Sequence, residues 1–248
     1  MAYAQVNGLN VYYEVHGTGK PLVLLHGGLL TIELAFGGLL PHLAKSRQVI
    51  AIEMQGHGRT ADTDRVPSLE LFASDVAGVL DTLGIERADV FGYSLGGLVG
   101  LQMALTQPDR VDRLVAAAAH YRSQGYHNDI LDPALWSASR RMPTAEDFQK
   151  MRDAFTAVAP DPSVFDQVEA KLQPLVSGVD AWTEADFGGI TAPTLLIIGD
   201  NDFVTIPHAE LMRDLIPGSQ LAVLPGTTHM QIPQRVDVLL ALLGDFLQ

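Results

Sequence analysis

Short, uninterrupted apolar runs recur along this chain, each followed by an amphipathic segment. PLVLLH precedes Ile32 to Leu43, RQVIAIE precedes Leu69 to Leu83, ADVFGY precedes Leu95 to Thr106, and RLVAAAA follows. A strand with one face in water alternates apolar and polar residues. A run with no polar interruption is buried on both faces, which implies a parallel sheet wrapped by helices. The alternation resumes late in the chain with TLLIIG, a segment from Pro207 to Ile216, QLAVLP, and a last helix from about Pro233 to Leu247. At the start, Asn7-Gly8 lies between alternating apolar residues in AQV-NG-LNVYYEV. Both positions of such a turn want a positive φ, so the first two strands should pair antiparallel. Pro67-Ser68 opens the helix before Leu69 with Ser68 as N-cap, and Gly84 lies where that helix must stop.

Between Tyr121 and about Gly189 the strand pattern disappears. Helix openings stand at Asp132-Pro133, Thr144 through Asp147, and Asp161-Pro162, since Pro at a first helical position lacks only a hydrogen that would be unpaired there. Residues 121–189 are therefore expected to be a helical cap inserted after the sixth strand, the core domain being residues 1–120 and 190–248. A chain of 248 residues is long enough to bury roughly 70% of its unfolded surface. Its 47% hydrophobic and 18% charged residues are those of a globular protein, and no apolar run approaches the ~20 residues that span a bilayer. Sixteen Lys and Arg against 29 Asp and Glu give a net charge of -13, which opposes any grip on phosphate backbones or anionic lipid, so neither nucleic acid nor a membrane is expected as partner. The absence of cysteine excludes disulfides, thiolate catalysis and Cys-metal sites. The opening MAYAQVNGLNVYYEVHG has no basic region followed by an apolar one, so no signal peptide is read there and a cytoplasmic location is expected.

Gly92-Tyr93-Ser94-Leu95-Gly96 is a GxSxG between a buried strand and a helix. In a nucleophile elbow the serine sits on a strained turn, and flanking glycines let neighbouring backbone approach where a Cβ would collide. A serine hydroxyl is a poor nucleophile at neutral pH and needs a general base with an acid to orient it. The chain order expected for such an elbow is met by Ser94, the loop GDND after TLLIIG, and His229 after QLAVLP. All three follow strands, where functional residues of open parallel sheets collect. An oxyanion would need two backbone N–H donors: Leu95, after the nucleophile, and Gly28 in the loop His26-Gly27-Gly28, where both glycines should permit close backbone approach.

With HGG at 26–28, Gly-His-Gly-Arg at 56–59, GYSLGG at 92–97, GDND at 199–202 and PGTTH at 225–229, the chain resembles the α/β-hydrolase superfamily over nearly its whole length, in its small bacterial esterase-like form. The resemblance implies an α/β-hydrolase fold, a mostly parallel sheet with an antiparallel N-terminal hairpin, and a cap that sets substrate. It places the acid three residues after the glycine that ends the strand, at Asp202. Asp200 is the rival, with a loop-shaping role as its alternative. The implied activity is cofactor-independent hydrolysis of carboxylic esters, lactones or related acyl compounds, by a carboxylesterase or lactonase acting through Ser94, Asp202 and His229. A serine elbow argues against epoxide hydrolases and haloalkane dehalogenases. Perhydrolysis, thioester hydrolysis, C–C bond hydrolysis and a slow-turnover small-molecule receptor use the same residues and stay open.

The remaining histidines read as structural. His57 should stabilise the turn after the fourth strand and His26 order the oxyanion loop; His16, His42, His127 and His208 look like surface or loop positions, and His120 lies at the cap junction. No HExxH or clustered His/Asp spacing suggests a metal, and no cofactor is implied. Trp136, Met142, Phe148, Met151, Phe155, Phe165 and Trp182 should mostly pack cap against core, with some facing an apolar pocket. Six Lys or Arg against eleven Asp or Glu between Tyr121 and Gly189 make the cap acidic, so a small neutral ester-like substrate is expected, unless Arg122, Arg140 or Arg141 turns inward as a carboxylate clamp.

Overall fold

Apolar residues fill both faces of the central strands, and the fold follows from that. A computed structural model describes residues 2–177 and 182–248; Met1 and residues 178–181, the latter within the expected cap, lie outside the described residues. Eight strands, β1 (Ala2–Val6), β2 (Leu9–His16), β3 (Lys20–Leu25), β4 (Arg47–Ile52), β5 (Ala88–Tyr93), β6 (Val111–Ala117), β7 (Thr194–Asn201) and β8 (Gln220–Thr228), form one sheet in the order β1-β2-β4-β3-β5-β6-β7-β8. β2 pairs antiparallel with both neighbours, β1 and β4, and every other pairing is parallel. Asn7 (φ 50°) and Gly8 (φ 79°) make the expected tight turn.

Helices α1 (Ile32–Phe36), α2 (Leu40–Leu43), α3 (Leu69–Thr82) and α4 (Leu95–Thr106) fall in the first half of the chain. Between β6 and β7 come α5 (Asn128–Leu131), α6 (Ala145–Val158), α7 (Phe165–Ser177) and α8 (Glu184–Phe187), and α9 (Ile206–Leu215) and α10 (Val236–Phe246) close the fold. Val23, Leu25, Ile50, Ile52 and Val90 turn to one face and pack with α3 and α4. Leu22, Leu24, Val49, Ala51 and Phe91 turn to the other, with α1 and α10. Alternation within each strand thus feeds two cores at once. No helix among the described residues is long and apolar enough to cross a membrane.

Local chemistry sets the boundaries. Ser68 accepts from the Leu71 N–H at the start of α3, and Gly84 (φ 66°) follows its end. Asp132 and Asp161 cap short 3-10 turns, and Thr144 forms a capping box with Asp147 at α6. Two expected elements differ. The segment 32–43 breaks into two helices at Gly37-Gly38, and the last helix begins at Val236 because residues 229–234, with Pro233 among them, form a 3-10 turn. β8 also runs past QLAVLP to Thr228, paired with β7 beyond a register shift.

Backbone packs closely where β5 turns into α4. A Cβ on Gly96 would sit 2.1 Å from the Leu25 carbonyl oxygen of β3, and one on Gly92 would sit 2.0 Å from the Gly96 carbonyl oxygen. Both obstacles are backbone, so the chain must move apart to accept even a methyl. Gly96→Ala is expected to lower the urea unfolding midpoint markedly, a loss of ~2 kcal/mol or more from overpacking, whereas Gly244→Ala, whose Cβ meets nothing within 4 Å, should leave it within ~0.5 kcal/mol. Equal midpoints for the two variants would contradict this account.

Candidate active site

Ser94 occupies the turn between β5 and α4 at φ 53°, ψ -118°, a conformation that costs a non-glycine residue of order 1–3 kcal/mol. Its N–H donates to the Ala117 carbonyl (2.8 Å), and the Gly96 N–H donates to the His26 carbonyl (3.0 Å), so β6 and the β3 loop hold the turn from two sides. The side chain is thereby presented at the carboxyl end of the sheet.

His229 follows β8. Its Nδ1 lies 2.7 Å from Asp202 Oδ1 and its Nε2 lies 3.0 Å from Ser94 Oγ. With Nδ1–H donating to the carboxylate, Nε2 is left as the acceptor for the serine hydroxyl. The imidazole is 4% exposed and Asp202 is fully buried. The ring is clamped as well as hydrogen-bonded: Phe203 stacks on it at 3.9 Å, and the Tyr93 hydroxyl donates to the His229 carbonyl at 2.8 Å. Asp202 in turn accepts from the Phe203 N–H at 2.6 Å and the Gly199 N–H at 3.3 Å. Asp200 faces solvent instead. It accepts from the backbone N–H groups of Gly226 and Thr227, each at 2.9 Å, and these bonds hold its carboxyl below the usual carboxylate range. Of the two carboxylates in GDND, the structure brings only Asp202 to His229.

Leu95 is the first residue of α4, where an N–H has no partner within the helix. Neither its N–H nor that of Gly28 donates to any group among the described residues. The loop differs from expectation in one respect. Gly27 is the residue that allows close approach, since a Cβ there would lie 3.0 Å from the Tyr93 ring and 3.2 Å from Ser94 Cβ; at Gly28 a Cβ would meet nothing within 4 Å. Gly28 borders the cavity beside Ser94 and His229. His26 Nδ1–H donates to the Gly27 carbonyl (2.8 Å) and Nε2 accepts from the Met54 N–H (3.2 Å), while His57 hydrogen-bonds the Gln55 carbonyl (2.9 Å) in the neighbouring turn.

A cavity of about 220 Å³ opens onto Ser94 and His229. Of the aromatic and methionine residues expected in the insertion, Trp136, Met142, Phe148 and Met151 line it. Phe155 and Phe165 pack edge-to-face on each other, and Trp182 packs on Phe187 with its Nε1–H donated to Gln102. Sequence reasoning missed Tyr126, Phe203, Met230 and, from α7, Glu169, Leu172 and Gln173, all of which also line the cavity. Only Phe203, directly after GDND, had a readable signal. Among the described residues no Lys or Arg lines the cavity: Arg122 pairs with Glu184, Arg141 pairs with Asp129 at 3.0 Å, and Arg140 is exposed. No group of three or more potential ligands among the described residues could hold a metal ion.

A family model described as alpha/beta hydrolase fold matches residues 20–181. The chain is 26% identical over 245 residues to a putative carbamate hydrolase, RutD, of Azorhizobium caulinodans, covering 92% of this chain and 91% of that one. It is 28% identical over 249 residues to the pimeloyl-[acyl-carrier protein] methyl ester esterase of Neisseria meningitidis serogroup C, covering 92% and 94%. In fold it is similar to the enol-lactonase of Burkholderia xenovorans LB400, with a TM-score of 0.78, 23% identity and 99% of each chain covered.

His208 is the one histidine whose setting departs most from its expected surface place. It is buried in α9, stacked on Tyr121 at 4.8 Å, with Nε2 accepting from the Tyr121 N–H. His26, His57 and His120 are buried too, and neither ring nitrogen of His120 has a hydrogen-bond partner among the described residues. Burial holds all four below the usual imidazole range, to about 4 for His57 and His208 and about 3 for His120. A lowered folded-state value means that the unfolded chain binds the extra protons, so stability falls as pH drops from about 6.5 toward 4, by up to ~1.4 kcal/mol per pH unit for each histidine. Urea midpoints measured between pH 7.5 and 5 should decline accordingly. His120→Phe, which keeps the ring on Tyr126 and sacrifices no hydrogen bond, should flatten that decline; an unchanged slope would be evidence against the assignment.

Proposed function

Because the chain belongs to the α/β-hydrolase fold family, we propose that it is a serine hydrolase cleaving carboxylic esters, lactones or related acyl compounds. The observation that carries this reading is the unbroken line from Asp202 through His229 to Ser94, with contacts of 2.7 and 3.0 Å. Ser94 Oγ attacks the acyl carbon while His229 Nε2 takes its proton. The carbonyl oxygen, now carrying negative charge, receives the N–H donors of Leu95 and Gly28. His229 then protonates the leaving oxygen, the acyl group stays on Ser94, and a water deprotonated by the same imidazole releases it. Asp202 fixes the imidazole tautomer that leaves Nε2 free to accept, and stabilises the cation that forms. The carbamate and methyl ester named for the two relatives both present a carbonyl bonded to a heteroatom leaving group, which suits this sequence of steps. The insertion between β6 and β7 acts as the substrate-facing wall of the core domain. A largely apolar cavity that no Lys or Arg among the described residues lines favours a small neutral ester over a carboxylate, whose desolvation without a paired cation costs several kcal/mol.

Ser94→Ala is expected to abolish hydrolysis of a generic aryl ester, by three or more orders of magnitude, with the far-UV spectrum and urea midpoint retained. A fluorophosphonate should add covalently to the wild type and not to the variant, and labelling that survives in Ser94→Ala would refute the nucleophile assignment.

The two carboxylates of GDND divide the acid role from a structural one. Asp202→Asn should lower kcat by several orders of magnitude, because the amide no longer favours the productive His229 tautomer. Asp200→Asn should keep most of kcat and lose stability instead, since it weakens the acceptor of the Gly226 and Thr227 N–H groups. The reverse ranking in folded protein would move the acid role to Asp200.

A further inference from the structure

The mouth of the cavity carries a carboxylate that the proposed chemistry does not use. Glu169 lies on α7, one turn before Leu172 and Gln173, which line the cavity with it. It is exposed, and among the described residues it has neither a hydrogen-bond nor an ion-pair partner. The other charged side chains nearby are committed elsewhere: Lys171 to Asp62 at 2.6 Å, Arg152 to Asp166 at 2.6 Å, Arg141 to Asp129. Around the same cavity stand aromatic side chains that no neighbour covers fully. Trp136 is 39% and Phe148 37% exposed, and the Trp136 Nε1–H donates to the Ile130 carbonyl at 2.9 Å, which fixes the ring.

An unpaired carboxylate that lines one cavity with exposed aromatic rings is the chemistry that receives an organic cation. The carboxylate supplies charge, and the ring faces supply quadrupole attraction and an apolar surface for N-alkyl groups. A carboxylate-bearing substrate meets the opposite: repulsion from Glu169 and, among the described residues, no guanidinium or ammonium in the cavity wall to pair with. Resting on the serine hydrolase reading above, we infer that Glu169 is a specificity-determining residue that favours esters carrying an alkylammonium group. Its attraction acts at the rim and in water, so it is of modest size and sensitive to salt.

Three butyrate esters or their counterparts separate the terms: the choline ester, its uncharged isostere 3,3-dimethylbutyl butyrate, and a succinyl-type monoester. At low salt the choline ester should exceed its isostere in kcat/KM by about five- to tenfold, and the anion should fall below both. In Glu169→Gln the choline preference, read as the ratio of the two kcat/KM values within that variant, should shrink to about one, and 0.5 M salt should compress the wild-type ratio in the same direction. A wild-type ratio of one or less, or a ratio unchanged by Glu169→Gln, overturns the inference. Loss of all ester hydrolysis, or hydrolysis that persists in Ser94→Ala, overturns the underlying reading instead. A binding measurement then still decides the role of Glu169. In Trp182→Phe protein, Trp136 is the sole tryptophan, and its fluorescence is titrated with choline and with 3,3-dimethylbutanol. Tighter binding of choline, weakened several-fold by Glu169→Gln, supports the cation site; equal binding of the two overturns it.

Discussion

The turn from β5 into α4 has no room for a side chain two residues before or two residues after Ser94. Gly92 and Gly96 bring backbone to within about 2 Å of where a Cβ would stand, and this closeness forces Ser94 into a positive φ. Everything proposed for the site depends on that approach. It lifts the hydroxyl out of the sheet edge, starts a helix at the very next residue, and so leaves the Leu95 N–H unpaired beside it. It also draws in the β3 loop through the bond from Gly96 N–H to the His26 carbonyl, which fixes where Gly27 and Gly28 can lie. The same constraint that strains one residue therefore sets the positions of three others.

The acid and base are held differently, by bonds and stacking rather than by close approach. β7 and β8 are parallel neighbours, so the loops after them emerge side by side. The pairing register shifts between Gly199 and Asn201, just before the loop that carries Asp202. Asp200 ties the β8 loop from outside through two backbone N–H groups, and Asp202, two residues on, points inward to His229. Two carboxylates so near in sequence serve opposite sides of one loop because each finds a different set of donors. Phe203 and Tyr93 remove most of the freedom left to the imidazole, so its orientation does not rest on a single hydrogen bond.

Much of this was legible in the sequence, for a physical reason. Parallel strands buried on both faces have to be continuous apolar runs, and helix starts here carry Ser68, Asp132, Thr144 and Asp161 as caps, so element type and order follow from local chemistry. The elbow was legible because glycine spacing is a steric requirement. What local chemistry does not encode is which side of an insertion helix meets the site. Met151 and Phe155 share one face of α6, yet Met151 reaches the cavity and Phe155 packs on Phe165. Glu169 and Gln173 carry no local signal at all, and it is the placement of α7 that makes them line the cavity. His208 likewise looked like a loop residue, because its partner Tyr121 lies 87 positions away.

The core and the insertion thus divide the requirements of the proposed reaction between them. Strand ends supply groups whose placement must be accurate to fractions of an ångström, and they supply it from a sheet packed on both faces, where small displacements are opposed by many contacts. The insertion supplies apolar surface and the Glu169 carboxylate, both of which act over longer distances and tolerate looser placement. In the proposed reaction a change of substrate falls to the side chains of the cavity wall, those of the insertion together with Phe203 and Met230, with the elbow glycines and the Asp202–His229–Ser94 line left intact. Under the proposed reaction, substrate choice is a property of the cavity wall, and the site at the strand ends serves any acyl group that the wall admits.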